Sequence, residues 1–171
     1  TSKVISTQAA FYGQSGLLFF LVSYALTNLG AFIAIIAISN KINSDLIEDY
    51  TGMGKRAPLL ALALTLCLVS LTGLPPTAGL IAKIYIFSAG VSNGLLWLVI
   101  VAVLNSCISA YYYLRVVKIM WLGAPSSEER VPSSWALRVA LSLSCLGVLV
   151  LGIIPGKFVQ IAEAAVRMFT S

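Results

Sequence analysis

Three long stretches of the chain carry almost no charge, and this pattern constrains the fold more than any other feature. No Asp, Glu, Lys or Arg lies in 4–40 or in 139–156, and Lys83 is the one charged residue in 57–114. A membrane-spanning helix needs about 20 predominantly apolar residues. The sequence therefore predicts an all-α integral membrane bundle with about four transmembrane helices.

The composition supports this prediction and excludes several kinds of function. Of the 171 residues, 59% are hydrophobic, 10% are charged and none is histidine. Without histidine or a nucleotide-binding glycine motif, we expect no metal site, no catalytic redox residue and no cofactor in this chain. The net charge of +5 comes from basic residues that flank apolar segments. Such residues orient a chain in a bilayer, so we expect a lipid partner and no nucleic acid.

We expect one membrane domain over 1–171, with spans at about 15–39, 57–90, 95–120 and 135–154. Two polar loops then share one side of the membrane, with seven basic residues near them: Lys41, Lys55, Arg56, Arg115, Lys118, Arg130 and Arg138. The other side has Lys3, Lys157 and Arg167. The positive-inside rule places the loops in the cytoplasm and both termini on the outer side.

A proline pair interrupts the second apolar stretch. Pro75 and Pro76 have no amide hydrogen, so the carbonyls of Leu71 and Thr72 lose their helical partners. An unpaired backbone group in hydrocarbon costs several kcal/mol, so a broken helix must be surrounded by protein or by a water-lined cavity. We predict one discontinuous span that faces the protein interior, with these helix-break residues: Gly73, Pro75, Pro76 and Gly79.

Lys83 follows this break by four residues and has two interpretations. Its long side chain could extend to the nearer membrane interface without a chemical role. Alternatively, it faces a hydrated cavity, as charged residues within membrane spans usually do. Burial disfavours a charged ammonium, and the positive N-terminal end of the second half-helix acts in the same sense. On the second interpretation, Lys83 is a proton-transfer residue.

Polar residues on the other spans suggest a pathway. On the third span, helical spacing places five residues on one face: Ala102, Asn105, Ser106, Ser109 and Tyr113. The first span carries a stripe of mostly small residues, which is either a packing face or a wetted one: Gly16, Ser23, Thr27, Gly30 and Ala34. Tyrosines 111–113, followed by Arg115, are typical of an interfacial anchor. The polar residues expected to line a pathway are Asn28, Thr72, Thr77, Asn105 and Ser109.

Three motifs occur in a fixed order, at 52–60, 70–83 and 108–117. They read GMGKRAPLL, SLTGLPPTAGLIAK and ISAYYYLRVV, and together they closely resemble the subunit N family of the proton-pumping NADH:quinone oxidoreductases, or respiratory complex I. Its mitochondrial counterpart is subunit 2. The family commonly has Gly-Phe-x-Gly-Lys where this chain has Gly79-Leu80-Ile81-Ala82-Lys83, which leaves the lysine in place. Cation/proton antiporter subunits share the Gly-x-Pro…Gly…Lys element, whereas the triple tyrosine favours subunit N.

The resemblance implies an architecture that the residues alone do not show. Members of this family contain two inverted repeats, each with one discontinuous helix. The four spans here resemble the last three helices of the second repeat plus the final helix. We therefore expect the C-terminal part of an antiporter-like subunit, in which Lys83 matches the lysine of the second broken helix and transfers protons.

The resemblance also implies a function: non-redox proton translocation driven by quinone reduction in partner subunits. Flavin, iron–sulfur clusters and quinone are expected in partner subunits. The expected partners also include other membrane subunits of complex I, among them the N-terminal part of the same subunit. The expected location is an energy-transducing membrane, first a bacterial plasma membrane, with the mitochondrial inner and thylakoid membranes as alternatives. The alternative functions are a subunit of a multisubunit cation/proton antiporter or membrane-bound hydrogenase, and a structural four-span assembly protein.

Overall fold

The computed structural model describes the backbone of residues 2–124 and 134–170, with side chains for 13–124 and 134–168. Within these ranges, every regular element is a helix. In chain order they are α1 (Ser2–Ile42), a 3₁₀ helix (Ile47–Tyr50), α2 (Met53–Arg56), α3 (Pro58–Thr72), α4 (Ala78–Ser92), α5 (Leu96–Leu122), α6 (Trp135–Ile153) and α7 (Pro155–Thr170). Most of the second predicted polar loop, including Glu128, Glu129 and Arg130, lies outside the described residues.

Three long apolar helices and one pair of shorter apolar helices make up the membrane bundle. Gly13–Ile42 of α1, α5 and α6 are each long enough to cross a bilayer. The apolar helices α3 and α4 have 15 residues each, which gives each a length of about 22 Å. Neither spans a hydrocarbon core of about 30 Å alone, but together they form one discontinuous span. The predicted fold class is confirmed: an all-α membrane bundle with about four spans, one of them broken at Pro75–Pro76.

Helix α1 is central to the bundle and packs against α3, α4, α6 and α7. Its small residues allow this close approach. A side-chain carbon at Gly30 would lie 2.8 Å from Cys67 Sγ and 2.9 Å from Ser144 Cβ, and one at Gly16 would lie 3.3 Å from Tyr85 Cβ. The glycines of the stripe therefore form a packing face, because any side chain there would push neighbouring helices away.

The two ends of the bundle are built from different segments. At one end, the connection between α1 and α3 meets the end of α5, where the Gly52 amide donates to the Ile119 carbonyl at 3.3 Å. Trp121 Nε1 also donates to Thr65 Oγ1 at 2.8 Å. At the other end, Val159 of α7 belongs to an apolar cluster that includes Phe19 and Leu151. The first polar loop and the end of the third long span therefore lie on the same side of the bundle.

Tyr50 fixes the connection between α1 and α3 to the bundle. Its side chain is buried, and its hydroxyl donates to the Ile35 carbonyl at 3.4 Å. Burial, with a smaller contribution from the negative charge of Asp45, raises the pKa of the Tyr50 phenol. Tyr50 is therefore neutral at physiological pH, and its apolar ring packs beside the membrane end of α3 without a charge to solvate.

Candidate functional site

At the helix break, two of the last carbonyls of α3 accept hydrogen bonds from backbone amides that follow the helix. Gly73 adopts a left-handed conformation with φ of 85°. Its amide donates to the Ser70 carbonyl at 3.0 Å, and the Leu74 amide donates to the Val69 carbonyl at 3.2 Å. These two bonds form a Schellman motif, which satisfies two of the last four carbonyls of the helix. The carbonyls of Leu71 and Thr72 remain, and they are the pair that the proline positions predict to be unpaired.

Lys83 supplies the missing donors. Its Nζ donates to the Leu71 carbonyl at 3.0 Å and to the Thr72 carbonyl at 2.8 Å. A third bond, of 2.5 Å, joins Nζ to Ser106 Oγ on α5. An ammonium has three donor hydrogens, so each has an acceptor in this arrangement. The group also lies at the C-terminal end of α3, where the helix dipole stabilises a positive charge.

The direction of the Lys83 side chain follows from helix geometry. Side chains in an α-helix lean toward its N-terminus, so a lysine in the second turn of α4 reaches back across the break. Lys83 therefore does not extend toward the interface beyond Gly90. The sequence predicts that the Lys83 ammonium lies near the positive N-terminal end of α4. In the structure, Nζ instead contacts the negative C-terminal end of α3. A side-chain carbon at Gly73 would lie 3.0 Å from Lys83 Cδ and 3.2 Å from Nζ.

Two further glycines bring other chain segments close to the break. The Gly79 amide donates to Ser70 Oγ at 3.2 Å, and a side-chain carbon at Gly79 would overlap the Ser70 carbonyl oxygen. Gly152 of α6 lies against the loop itself, because a side-chain carbon there would overlap the Pro76 carbonyl oxygen. The break is therefore closely packed on one side, although 74–76 are exposed on the other.

A cavity of about 450 Å³ lies beside Lys83, between α1, α3, α4 and α5. Its walls are mainly aromatic and aliphatic, and its polar lining residues besides Lys83 are Ser23, Tyr24, Thr27, Ser70, Asn105, Ser106, Ser109, Tyr112 and Tyr113. Thr27 Oγ1 donates to the Ser23 carbonyl at 2.7 Å and lies 3.4 Å from Ser70 Oγ. The polar part of the α1 stripe therefore borders the cavity, whereas its glycines pack against neighbouring helices.

Among the residues predicted to line a pathway, Asn105 and Ser109 lie in this cavity with Lys83. Ser109 is one helical turn beyond Ser106, and its hydroxyl donates to the Ser106 carbonyl at 2.8 Å. The structure thus brings together two of the five predicted polar residues with the lysine. Their proximity follows from the face of α5 that the helical spacing identified.

The other three predicted polar residues are placed differently. Thr72 contributes its carbonyl to Lys83, while its hydroxyl donates to the Val69 carbonyl at 2.6 Å. The Thr77 hydroxyl donates to the Leu74 carbonyl at 2.6 Å. The side chain of Asn28 donates to the Tyr24 carbonyl at 2.8 Å within α1 and is not among the residues that line the cavity. Thr72 and Thr77 therefore shape the break, and Asn28 is not brought to Lys83.

Several residues of the site were not selected from the sequence. Ser106 lies on the predicted polar face of α5, and its position next to Asn105 was the available signal. Ser70 precedes the break by three residues, but nothing local indicates that its hydroxyl binds the Gly79 amide. Tyr112 and Tyr113 border the cavity. Their sequence pattern is typical of an interfacial anchor, although helical spacing also places Tyr113 on the polar face of α5. Such contacts depend on how the helices pack, which local spacing does not specify.

The fold and the site define a class of protein. A helix broken within the membrane, with a charged residue bound at the break, is the architecture that transporters use for ion and substrate sites. In the part of the chain that the structure describes, no cluster of three or more His, Cys, Asp or Glu side chains could hold a metal ion. The chemistry available at this site is therefore that of an amine, hydroxyls and backbone carbonyls.

Within this class, the chain belongs to the NADH:quinone oxidoreductase/Mrp antiporter transmembrane family, whose model matches residues 3–109. It is 51% identical over 156 residues to subunit N of the NADH-quinone oxidoreductase of Dehalococcoides mccartyi, covering 91% of this chain and 32% of the relative. Identity to the same subunit of Trichlorobacter lovleyi is 45% over 159 residues, with 91% and 32% coverage. The chain thus spans about a third of the length of these curated relatives. The family resemblance predicted from the three motifs is confirmed.

Solved structures show the same architecture. A chain of respiratory complex I from Thermus thermophilus matches with a TM-score of 0.75 and 28% identity, over 89% of this chain and 36% of that chain. A chain of the membrane-bound sulfane sulfur reductase, an archaeal respiratory membrane complex, matches with a TM-score of 0.81 and 30% identity. The match covers 90% of this chain and 31% of that chain. A chain of the Mrp complex from Dietzia sp. DQ12-45-1b matches with a TM-score of 0.81 and 20% identity, over 91% of this chain and 37% of that chain. At this identity the match shows a likeness of fold alone.

Proposed function

We propose that this chain is the C-terminal part of an antiporter-like subunit of an NADH:quinone oxidoreductase and conducts protons across the membrane. The observation that carries this proposal is the position of Lys83 Nζ, at the break of a discontinuous span and beside a mainly apolar cavity that several hydroxyls border. Among the helix-break residues, Pro75 and Pro76 leave the two free carbonyls that hold it, while Gly73 and Gly79 allow the close approach of the chain segments around it. Asn105 and Ser109 line the route.

Lys83 contributes to conduction by changing between an ammonium and a neutral amine. In a low-dielectric interior the charge of the ammonium acts on other ionisable groups over long distances. Quinone reduction in a partner subunit would reach Lys83 through such groups. In this proposal the chain has no redox step of its own, and flavin, iron–sulfur clusters and quinone belong to the partner subunits.

Replacement of Lys83 tests this proposal. Methionine cannot carry the proton, and arginine keeps its proton at all accessible pH values. Both variants should therefore slow proton uptake by vesicles that contain the whole complex by about tenfold or more. Uptake is normalised to assembled complex, and Lys157→Met at an exposed position of α7 is the matched control. Full uptake by Lys83→Met would refute the relay. Full uptake by Lys83→Arg would show that Lys83 only binds the carbonyls at the break.

Partner subunits are part of the proposal. In a bilayer the exposed loop at 74–76 cannot face lipid, because its backbone groups would lack partners. We propose that other membrane subunits, including the N-terminal part of the same subunit, cover this loop. The relatives that match are bacterial proteins of NADH-quinone oxidoreductase. They support a bacterial plasma membrane. The basic residues near the two polar loops support a placement of both termini of this chain on the outer side.

A second candidate function is a subunit of a cation/proton antiporter or membrane-bound hydrogenase. The family name includes Mrp antiporters, and the sulfane sulfur reductase chain is as similar in sequence as the complex I chain. The chains that copurify distinguish these functions. Flavin-containing and iron–sulfur chains that reduce quinone support the first proposal, whereas antiporter-like chains alone support the second. Full uptake by Lys83→Met would support a structural assembly role.

A further inference from the structure

We propose that Ser106 is the direct proton-transfer partner of Lys83 and passes the lysine proton to water in the adjoining cavity. This inference rests on the proposed function of Lys83 as a proton carrier. It starts from the chemistry of the three groups that contact Nζ, namely the Leu71 carbonyl, the Thr72 carbonyl and the Ser106 hydroxyl.

These three groups differ in what they can do with a proton. A backbone carbonyl accepts hydrogen bonds and has no hydrogen to donate, whereas a hydroxyl both donates and accepts. Among these three partners of Lys83 Nζ, Ser106 is therefore the one that can take up a proton while releasing another. The distance of 2.5 Å between Nζ and Ser106 Oγ is also the shortest of the three.

The same three contacts satisfy both forms of the lysine. The ammonium donates to all three oxygens. The neutral amine keeps two hydrogens on the carbonyls of Leu71 and Thr72, and its lone pair accepts the rotated hydroxyl of Ser106. No heavy atom moves, and no buried polar group is left without a partner, which would otherwise oppose the change of charge.

The transfer balances without an ionised serine. An N–H bond of the ammonium breaks and a new O–H bond forms on Ser106 Oγ, while the original hydroxyl proton passes to a water molecule. The products are a neutral amine, an intact serine hydroxyl and a hydronium ion. The reverse sequence recharges the lysine from the same water.

The polar part of the cavity, beside Ser23, Ser70 and Ser106, can hold that water. The volume of the whole cavity, about 450 Å³, compares with about 30 Å³ per molecule in liquid water. Ser23, which also lines the cavity, is only 2% exposed, and its Oγ has no hydrogen-bond partner among the described residues. Buried hydroxyls are nearly always paired, so this polar atom at the cavity wall requires a further partner. This observation is independent of Lys83 and supports water in the polar part of the same cavity.

A pair of isosteric variants tests the role of the hydroxyl. Ser106→Thr keeps the hydroxyl, and Ser106→Val has the same shape without it. In vesicles with the whole complex, we expect proton uptake by Ser106→Thr to stay near the original rate. Uptake by Ser106→Val and by Ser106→Ala should fall about tenfold. The solvent isotope effect on uptake should rise in the two slow variants, because transfer from Lys83 becomes rate-limiting. Ser92 is an exposed serine whose hydroxyl donates to the Ser88 carbonyl of its own helix. Ser92→Ala should therefore change neither the uptake rate nor the isotope effect.

The outcomes separate this inference from the proposed function. Normal uptake by Ser106→Val or Ser106→Ala, with slow uptake by Lys83→Met, overturns the role of Ser106 and leaves that of Lys83. Equal losses in Ser106→Thr and Ser106→Val, or slow uptake with an unchanged isotope effect, show a packing role and also overturn it. Normal uptake by Lys83→Met overturns the proposed function itself. Uptake is normalised to assembled complex, so a folding defect is not counted as slow transfer.

Discussion

At the scale of single residues, Lys83 illustrates how a charge is kept within a membrane span. Placing a lysine at the centre of a spanning helix costs about 2.5–3.5 kcal/mol on insertion scales. Three hydrogen bonds that involve a charged group, at about 1.5–3 kcal/mol each, are enough to offset this cost. Two of those bonds exist because the proline pair leaves the carbonyls of Leu71 and Thr72 without amide partners. The break and the lysine therefore stabilise each other.

Gly73 makes this arrangement possible in two ways, through its positive φ and through the space it leaves for Lys83. Gly94 also has a positive φ, of 74°, but no atom lies within 4 Å of where its side chain would be. We expect Gly73→Ala to combine backbone strain of about 1–2 kcal/mol with displacement of Lys83. Gly94→Ala should show the strain alone. Proton uptake per assembled complex should fall in Gly73→Ala and stay normal in Gly94→Ala, and equal rates in the two would contradict this role of Gly73.

At the scale of secondary-structure elements, the break is a joint between α3, α4 and α6. The Schellman motif ends α3, and the Ser70 hydroxyl accepts a hydrogen bond from the Gly79 amide at the start of α4. Gly152 allows α6 to approach the loop. The atoms that face Gly152 belong to the backbone of 76–78, so they cannot rotate aside as a side chain could. This joint holds the Lys83 acceptors in place.

Substitution of Gly152 should therefore destabilise the complex. We expect Gly152→Ala to cost about 1–3 kcal/mol, the usual range for overpacking, and to lower the melting temperature of the purified complex by several degrees. Gly156→Ala is the matched control, because no atom lies within 4 Å of a side chain there. A melting temperature that changes equally in both variants would show that the contact between α6 and the break carries no stability.

The elements also show which parts of the structure were predictable. The break and its two free carbonyls follow from the sequence, because the pairing of each carbonyl with the amide four residues later is local. The start of α3 at Pro58 is similarly local. The contact of Lys83 with Ser106 joins residues on two separate spans, and helical spacing indicates only that Ser106 lies on a polar face. Tertiary packing decides which groups bind Lys83 and whether its ammonium lies at the end of α3 or at the start of α4.

At the scale of the whole molecule, the two ends of the bundle have distinct compositions. The connection between α1 and α3 contacts the end of α5, and basic residues are concentrated near this end: Lys41, Lys55, Arg56, Arg115 and Lys118. Helix α7 lies at the opposite end, with its Val159 in the cluster that contains Phe19. The described residues thus place α7 and the 43–57 connection at opposite ends of the bundle.

Cysteine labelling tests the orientation that the basic residues predict. Glu48 is exposed in the 3₁₀ helix and Ala164 is exposed on α7, so Glu48→Cys and Ala164→Cys report on the two sides. The three native cysteines, Cys67, Cys107 and Cys145, are first replaced by alanine. A membrane-impermeant thiol reagent should reach Glu48→Cys only from the cytoplasmic side and Ala164→Cys only from outside, as the positive-inside rule requires. The opposite pattern would invert the orientation, and labelling of both from one side would contradict the membrane placement of the bundle.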